Sequence, residues 1–295
     1  MTPASEVPVE YPLISVLVPC YNRQRYIEEA LLSILEQDYP NFELIVVDDG
    51  SQDASAQKIQ ALQQRFDFQF FRQANTGVSG ALNTALGHAR GEFIATPDSD
   101  DVMLPGRLSV QAAYLQANPD VGCVGSKVVY IDEQGSRIKS EKASEVCRLT
   151  FDELLANARA VGGGVAMYRH EALRRAGFYD SEIRVQDFQI TLKIAYLGYR
   201  VDVLPDHGTL YRQHSSNLSR TLYRQQLIYD LMAINPYRDH PCYRKGLACV
   251  VNKALKHSVV NDKAYAWSVL LKLPLWNWNR VTLRRLRHLL FKFSR

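Results

Sequence analysis

The sequence predicts an α/β protein: a Rossmann-like, mostly parallel sheet flanked by helices, with a mainly helical C-terminal extension. Three observations carry that expectation. Within the first hundred residues, four short apolar runs alternate with stretches of helical periodicity, the β-α-β-α-β-α-β order of a doubly wound sheet. Three of the runs stop at clusters of polar residues, at the carboxyl ends where such sheets gather ligands. From Leu218 onward helical periodicity dominates, broken at Pro236, Pro241 and Pro274.

Leu13 to Val18 is β-branched and almost continuously apolar, as expected of a strand buried on both faces. Pro19-Cys-Tyr-Asn22 ends it, and Asn22 is expected to cap a helix with Tyr26, Ile27, Ala30, Leu31, Ile34 and Leu35 at helical spacing. Phe42 to Val47 is the second strand and stops at Asp48-Asp-Gly-Ser51. A helix bearing Ile59, Leu62 and Phe66 follows, then a third strand near Phe68 to Arg72. Asn75-Thr-Gly77 opens a helix with Leu82, Ala85, Leu86 and Ala89 apolar, and Phe93 to Ala95 is the fourth strand. After a helix from Arg107 to Ala117 the order becomes mixed. Val121 to Ile131 reads as a long strand, Phe151 to Ala158 as a helix capped by Thr150, and Gly162 to Tyr168 as a glycine-led strand. His170 to Ala176 is a helix closed by Gly177, Gln186 to Leu197 an amphipathic helix, and Arg200 to Leu204 and Thr209 to Arg212 two strands.

A chain of 295 residues, 46% hydrophobic and 22% charged, has room for a well-buried core and excludes a disordered class. Residues 1–11 are polar and expected to be disordered; they lack the basic and apolar regions of an export signal. No apolar run reaches the eighteen or so residues of a membrane span. The five cysteines are scattered and without zinc-site spacing, so a reducing cytoplasm is expected. The net charge of +4 is uneven: no acid follows Asp262, while Lys263, Lys272, Arg280, Arg284, Arg285, Arg287, Lys292 and Arg295 are basic, leaving the first 262 residues at −4. Trp276, Trp278, Leu283, Leu286, Leu289, Leu290 and Phe293 interleave with those cations. The pattern fits an interfacial helix on anionic lipid, and slightly less well a helix packed on the body with a solvated basic face. Nucleic acid is not expected, because the body is acidic and lacks a reader motif.

The chemistry centres on Asp98-Ser-Asp-Asp101. Extended backbone points residues two apart to one side, so Asp98 and Asp100 can face one ligand. Carboxylates this close repel unless a cation or several donors lie between them, and an all-oxygen set suits Mg²⁺ or Mn²⁺. An acidic turn capping the helix near Pro105 fits the same spacing. On spacing alone the two readings stand level.

Val16-Leu-Val-Pro-Cys-Tyr-Asn22, Val46-Val-Asp-Asp-Gly-Ser51, Asn75-Thr-Gly77, Pro97-Asp-Ser-Asp-Asp101 and Gln186-Asp187 together resemble the ordered motifs of the inverting glycosyltransferases of family 2, which have the GT-A fold. The resemblance spans roughly residues 12–220. It implies a nucleotide-sugar-binding half at 12–118, an acceptor-binding half at 119–220 of the same domain, and a helical, basic extension at 221–295. It implies transfer of a hexose or deoxyhexose from a UDP- or dTDP-sugar to a saccharide acceptor, with Mn²⁺ or Mg²⁺, in bacterial surface polysaccharide or lipopolysaccharide synthesis. The basic tail fits a lipid-linked acceptor and a peripheral place on the inner face of the plasma membrane.

Residue by residue, the resemblance assigns Pro19, Tyr21, Asn22, Asn75, Gly77, Asp98 and Ser99 to the nucleotide-sugar, Tyr21 as a stacking face for the base. Asp49 is to accept the base's N3–H, while Asp48 supports its loop or the ribose. Asp100 is the expected metal ligand, with Asp98, Asp101 and His214 as further ligands. Arg212 is expected at the diphosphate, and Asp187 as the base that takes the acceptor hydroxyl's proton. Gln186 replaces the family's Glu before that Asp. Ala81-Leu-Asn83 lacks an Arg that many relatives carry, for which Arg72 or Arg107 are candidates to compensate. Gly162-Gly-Gly164 falls where relatives place the acceptor-side wall. Two other classes fit an α/β nucleotide site: a sugar nucleotidyltransferase, which needs a glycine-rich basic loop absent here, and a non-catalytic nucleotide-sugar-binding scaffold.

Overall fold

A computed structural model describes residues 11–142, 144–215, 217 and 223–291. The segment expected to be disordered thus lies, apart from Tyr11, outside the described residues, as does Phe293. The first strands form as read: β1 (Ile14–Cys20), β2 (Phe42–Asp48), β3 (Gln69–Arg72) and β4 (Phe93–Ala95) are mutually parallel, in the spatial order β3-β2-β1-β4. Helices α1 (Ile27–Leu35), α2 (Ser55–Gln63) and α3 (Gly77–Leu86) make the crossovers. A two-residue strand, β5 (Val102–Met103), precedes α4 (Arg107–Ala117).

The sheet then continues through β6 (Val121–Ile131), β9 (Met167–Arg169) and β10 (Arg200–Arg212) in the order β4-β9-β6-β10-β5, with β7 (Arg137–Ser140) and β8 (Cys147–Leu149) pairing at its margin. β9 runs antiparallel to both β4 and β6, and β6 runs parallel to β10, so the second half keeps the direction of the first. The two strands expected between Arg200 and Arg212 are one of 13 residues, bent by register shifts between Val203 and Thr209. A break at Pro205 removes one ladder donor without ending the pairing.

Alternation along the strands explains why both faces are buried. In β1, Val16 and Val18 enter one apolar cluster while Leu17 enters the other, and Val46 and Ile45 divide likewise in β2. Each fully buried aliphatic side chain contributes about 1.5–3 kcal/mol. Thr150 and Glu153 form a reciprocal capping box at the start of α5 (Phe151–Ala156). α6 (His170–Arg175) ends at Gly177 with φ 73°, and α7 (Gln186–Tyr196) at Gly198 with φ 93°, left-handed turns that glycine adopts without a Cβ clash.

Asn22 does not cap α1. It adopts a left-handed φ of 53°, its backbone N–H donates to Ser51 Oγ at 2.9 Å, and its side-chain oxygen accepts from Gln52 N at 2.9 Å. It therefore ties the loop after β1 to the loop after β2, and α1 starts five residues later. The C-terminal extension comprises α8 (Tyr223–Ile234), α9 (Tyr243–Asn261), α10 (Lys263–Leu270) and α11 (Arg280–Phe291). Leu227, Val251, Leu255, Val269 and Leu289 join the same apolar cluster as Leu154 and Ile190 of the body. Among the described residues, no helix is long and apolar enough to cross a membrane.

Candidate active site

The carboxyl ends of β1, β2 and β4 open on a cavity of about 410 Å³, a volume ordinary for a small-molecule site. Pro19, Tyr21, Asp49, Asn75, Gly77, Asp98, Ser99, Asp100 and Asp187 line it, so most of the expected site residues converge there. The parallel topology requires this. Each strand delivers its terminal loop to the same edge, whatever the separation in sequence.

Tyr21 is 42% exposed and presents a ring at the rim. Asp49 is nearly buried and heavily used: Oδ1 accepts from Gln73 Nε2 (2.8 Å) and Thr76 N (2.9 Å), and Oδ2 from Gly77 N (2.8 Å). These bonds hold the N-terminus of α3 against the β2 loop and leave Oδ2 one acceptor lone pair. Asn75 Nδ2 donates to Asp49 O at 3.0 Å, closing the same turn. Asp48 is fully buried, accepts from Ser51 N and pairs with Arg72 at 3.1 Å; it supports the loop.

Asp98, Asp100 and Asp101 bring carboxylate oxygens within 4.8 Å of one another. Their environments differ. Burial and the neighbouring Asp100 and Asp187 push the Asp98 carboxyl up to about 7. Burial and the other two acids raise Asp101 well above the ordinary range, and its Oδ2 is buried without a hydrogen-bond partner. Burial also disfavours charge on Asp100, but the His214 hydrogen bond and the Arg23 guanidinium outweigh it and hold that carboxyl low. Three crowded carboxylates, one with an orphaned oxygen, form a donor set that fits a hard divalent cation.

Of two further expected contributors, one lies beside the cluster and one takes another position. His214 Nε2 lies 3.0 Å from Asp100 Oδ2, with its ring stacked on Tyr26, so it supports that carboxylate. Arg212, expected at the diphosphate, is buried behind the cluster. Its backbone N–H donates to Asp101 Oδ1, and its guanidinium donates to Asp100 O, Asp132 O, Glu133 O and Glu29. With all three nitrogens committed, it braces the acidic turn and has no reach into the cavity. Neither candidate for the missing Arg compensates. Arg72 is spent on Asp48 and Ser51, and Arg107 is buried, donating to Gly164 O and Thr209 Oγ1. Leu82 itself is in the core.

Among the described residues, the cations lining the cavity are Arg23 and Arg184, neither of which a motif marks. Arg23 Nε pairs with Asp100 Oδ2 at 2.9 Å. Its one signal in the sequence is its position, directly after the Pro-Cys-Tyr-Asn motif at the end of β1. Asn217, and Gln226 of α8, also line the cavity, so the extension contributes to the site's wall.

The three glycines precede the strand and are not part of it. Gly163–Val165 is a turn of 3₁₀ helix leading into β9. Gly164 N donates to Asp98 Oδ2 at 3.1 Å, and a Cβ there would lie 2.9 Å from that oxygen and 3.0 Å from Asp101 Oδ2. A Cβ on Gly163, whose φ is +61°, would lie 2.7 Å from Asp187 Oδ2. The turn thus threads between the acidic cluster and Asp187 at a spacing only glycine permits. Gly163→Ala is expected to cost about 1–2 kcal/mol through the left-handed backbone alone, and to remove most transfer activity; thermal denaturation and initial rates read the two effects. Asp187 sits in the first turn of α7, where burial pushes its carboxyl up to about 6 against the hydrogen bond from Gly163. A carboxylate near that value takes a proton at neutral pH more readily than a free one.

The family model described as Glycosyl transferase family 2 matches residues 15–177, more than half of the chain. The chain belongs to glycosyltransferase family 2. This glycosyltransferase is 26% identical over 238 residues to an uncharacterized glycosyltransferase of Methanocaldococcus jannaschii, covering 78% of this chain and 80% of that one. Its fold resembles Staphylococcus aureus TarS 1–349 in complex with UDP-GlcNAc, with a TM-score of 0.69 at 21% identity over 90% of this chain and 82% of TarS. It also resembles the mannosyltransferase PcManGT of Pyrobaculum calidifontis in complex with GDP-Man and Mn²⁺, with a TM-score of 0.62 at 22% identity over 90% and 75% of the two chains. The fold of this family 2 enzyme is GT-A.

Proposed function

We propose that this glycosyltransferase moves a hexose or deoxyhexose from a UDP- or dTDP-sugar to a saccharide acceptor, with inversion in a single displacement. The observation that carries the reading is the pair of acidic groups about one cavity: Asp98 and Asp100, clustered with Asp101, at one side and Asp187 at the other, with the glycine turn between them. Tyr21 offers a face to the base, and the remaining Asp49 Oδ2 lone pair suits the N3–H of uracil or thymine. Asp98, Asp100 and Asp101 would hold Mn²⁺ or Mg²⁺, which when bound neutralises the departing diphosphate. Arg23 holds Asp100 in place from the cavity side and supplies a donor to phosphate oxygens. Asp187 takes the acceptor hydroxyl's proton as the new glycosidic C–O bond forms and the bond to the diphosphate oxygen breaks.

A uridine donor is supported by the TarS complex with UDP-GlcNAc, and a divalent ion by the Mn²⁺ in the mannosyltransferase complex. The acceptor we propose is a saccharide, lipid-linked, in surface polysaccharide or lipopolysaccharide synthesis, with the enzyme working at the inner face of the plasma membrane. A thermal-shift screen of nucleotide sugars with Mn²⁺ tests the donor. UDP- or dTDP-sugars are expected to stabilise the protein and GDP-sugars to leave it unchanged; the reverse order overturns the base assignment. Pyrophosphate release from a nucleoside triphosphate and a sugar 1-phosphate would instead identify a nucleotidyltransferase.

A further inference from the structure

We infer that the outer face of α11, with the connector that precedes it, is a docking surface for an anionic lipid bilayer. The inference rests on no residue of the cavity, so its test is independent of the transfer reaction.

Helix α11 is already held by its own core. Thr282 and Leu289 are buried and Leu286 packs on the main apolar cluster, which accounts for one side of the helix. The other side keeps Leu283 (54% exposed), Leu290 (49%) and Phe291 (73%) in solvent. Before it, the connector exposes Leu271 (83%), Leu275 (72%) and Trp276 (77%). With Val281, seven large apolar side chains left outside within 21 residues exceed the scattered exposure of an ordinary surface.

Charge decides what covers them. Arg280, Arg284 and Arg287 are exposed at spacings of four and three, the row that ends at Phe291, and Lys272 lies in the connector. Among the described ion pairs, none includes these four cations. A second copy would bring the same cations against themselves across a twofold contact, where like charges repel. A bilayer surface accepts both parts: the apolar groups enter the headgroup–acyl boundary, while the arginine stems lie along them and the guanidinium groups reach lipid phosphates. The arrangement also revises the expectation from sequence. Leu286 and Leu289 serve the fold, half-buried Trp278 donates its indole N–H to Leu273 O, and the outward anchors are Leu283, Leu290, Phe291 and the connector.

The test is flotation of the full chain with phosphatidylcholine–phosphatidylglycerol vesicles against pure phosphatidylcholine. Wild type is expected to float with the anionic vesicles only, and to release in high salt. The triple variant Arg280→Gln/Arg284→Gln/Arg287→Gln should bind about a hundredfold more weakly, from roughly fivefold per charge. Trp276→Ser/Leu283→Ser/Phe291→Ser should likewise detach, with an unchanged thermal shift on adding Mn²⁺ and donor showing that the fold is intact. Equal binding to both vesicle types, or full binding by both variants, overturns the proposal. A wild-type dimer that fails to float, and that the apolar variant converts to monomer, would assign the face to a second copy instead.

Discussion

Asp187→Asn is expected to lower turnover by about 10²–10⁴-fold, the usual worth of a general base, with donor binding retained. The amide keeps the shape of the side chain and the hydrogen-bonding position beside Gly163 but cannot accept the hydroxyl proton. Because burial raises this carboxyl to about 6, the wild-type kcat/KM should climb with slope one up to pH near 6 and then level. The sign follows from the role: below that value the base is protonated and idle. The variant's residual rate should lack this acidic limb. Initial rates across pH at saturating Mn²⁺ decide the matter. Unchanged turnover, or a limb that persists in the variant, would remove Asp187 from the role of base.

Chelating divalent cations should abolish transfer, and the stabilisation by Mn²⁺ should grow with pH. Asp98 at about 7 and Asp187 at about 6 both lie above the ordinary carboxyl value, and Asp101 is also raised. In the metal-free protein these groups bind protons more tightly folded than unfolded. Their contribution to stability is therefore fully present below the unfolded value and is lost as pH rises through about 6 to 7, a tenfold change in proton affinity being worth about 1.4 kcal/mol. A cation placed among the carboxylates replaces the protons and returns that stability, about 2.7 kcal/mol at a hundredfold excess over Kd. Thermal shifts with Mn²⁺ should thus be small at pH 5.5 and large at pH 8, and Asp98→Asn/Asp101→Asn should show neither. A thermal response that ignores pH, or transfer that survives EDTA, would count against the cation site.

Much of this was legible in the sequence because it rests on local chemistry. Apolar runs of strand length, separated by helical periodicity and stopped by Tyr21, Asp49 and Asp98, imply a parallel sheet with ligands at one edge. Parallel pairing itself then brings those ends together. Thr150 and Gly177 could be read because capping depends on neighbours in the chain. The misreadings share the opposite property. Asn22 looks like a helix cap because Asn caps helices, yet its partners are Ser51 and Gln52, about thirty residues away. The family resemblance implies Arg212 at the diphosphate, but β10 turns its guanidinium into the back of the acidic turn. Arg23 carries no motif of its own, and the approach of the β1 loop to Asp100 gives it its acidic partner.

The family, the direction of the sheet and the crowding of acids at one strand end need no coordinates: periodicity and turn chemistry act over a few residues and are written along the chain. How those acids differ is set by folding in three dimensions. Asp98, Asp100 and Asp101 are the same residue type within four positions, and their separate electrostatics come from groups remote in sequence. His214 and Arg23 hold Asp100 charged, Gly164 donates to Asp98, and Asp101 is left with a buried unpartnered oxygen. Desolvation and Coulomb forces depend on distance in space, and a linear spacing of one or two residues does not encode them.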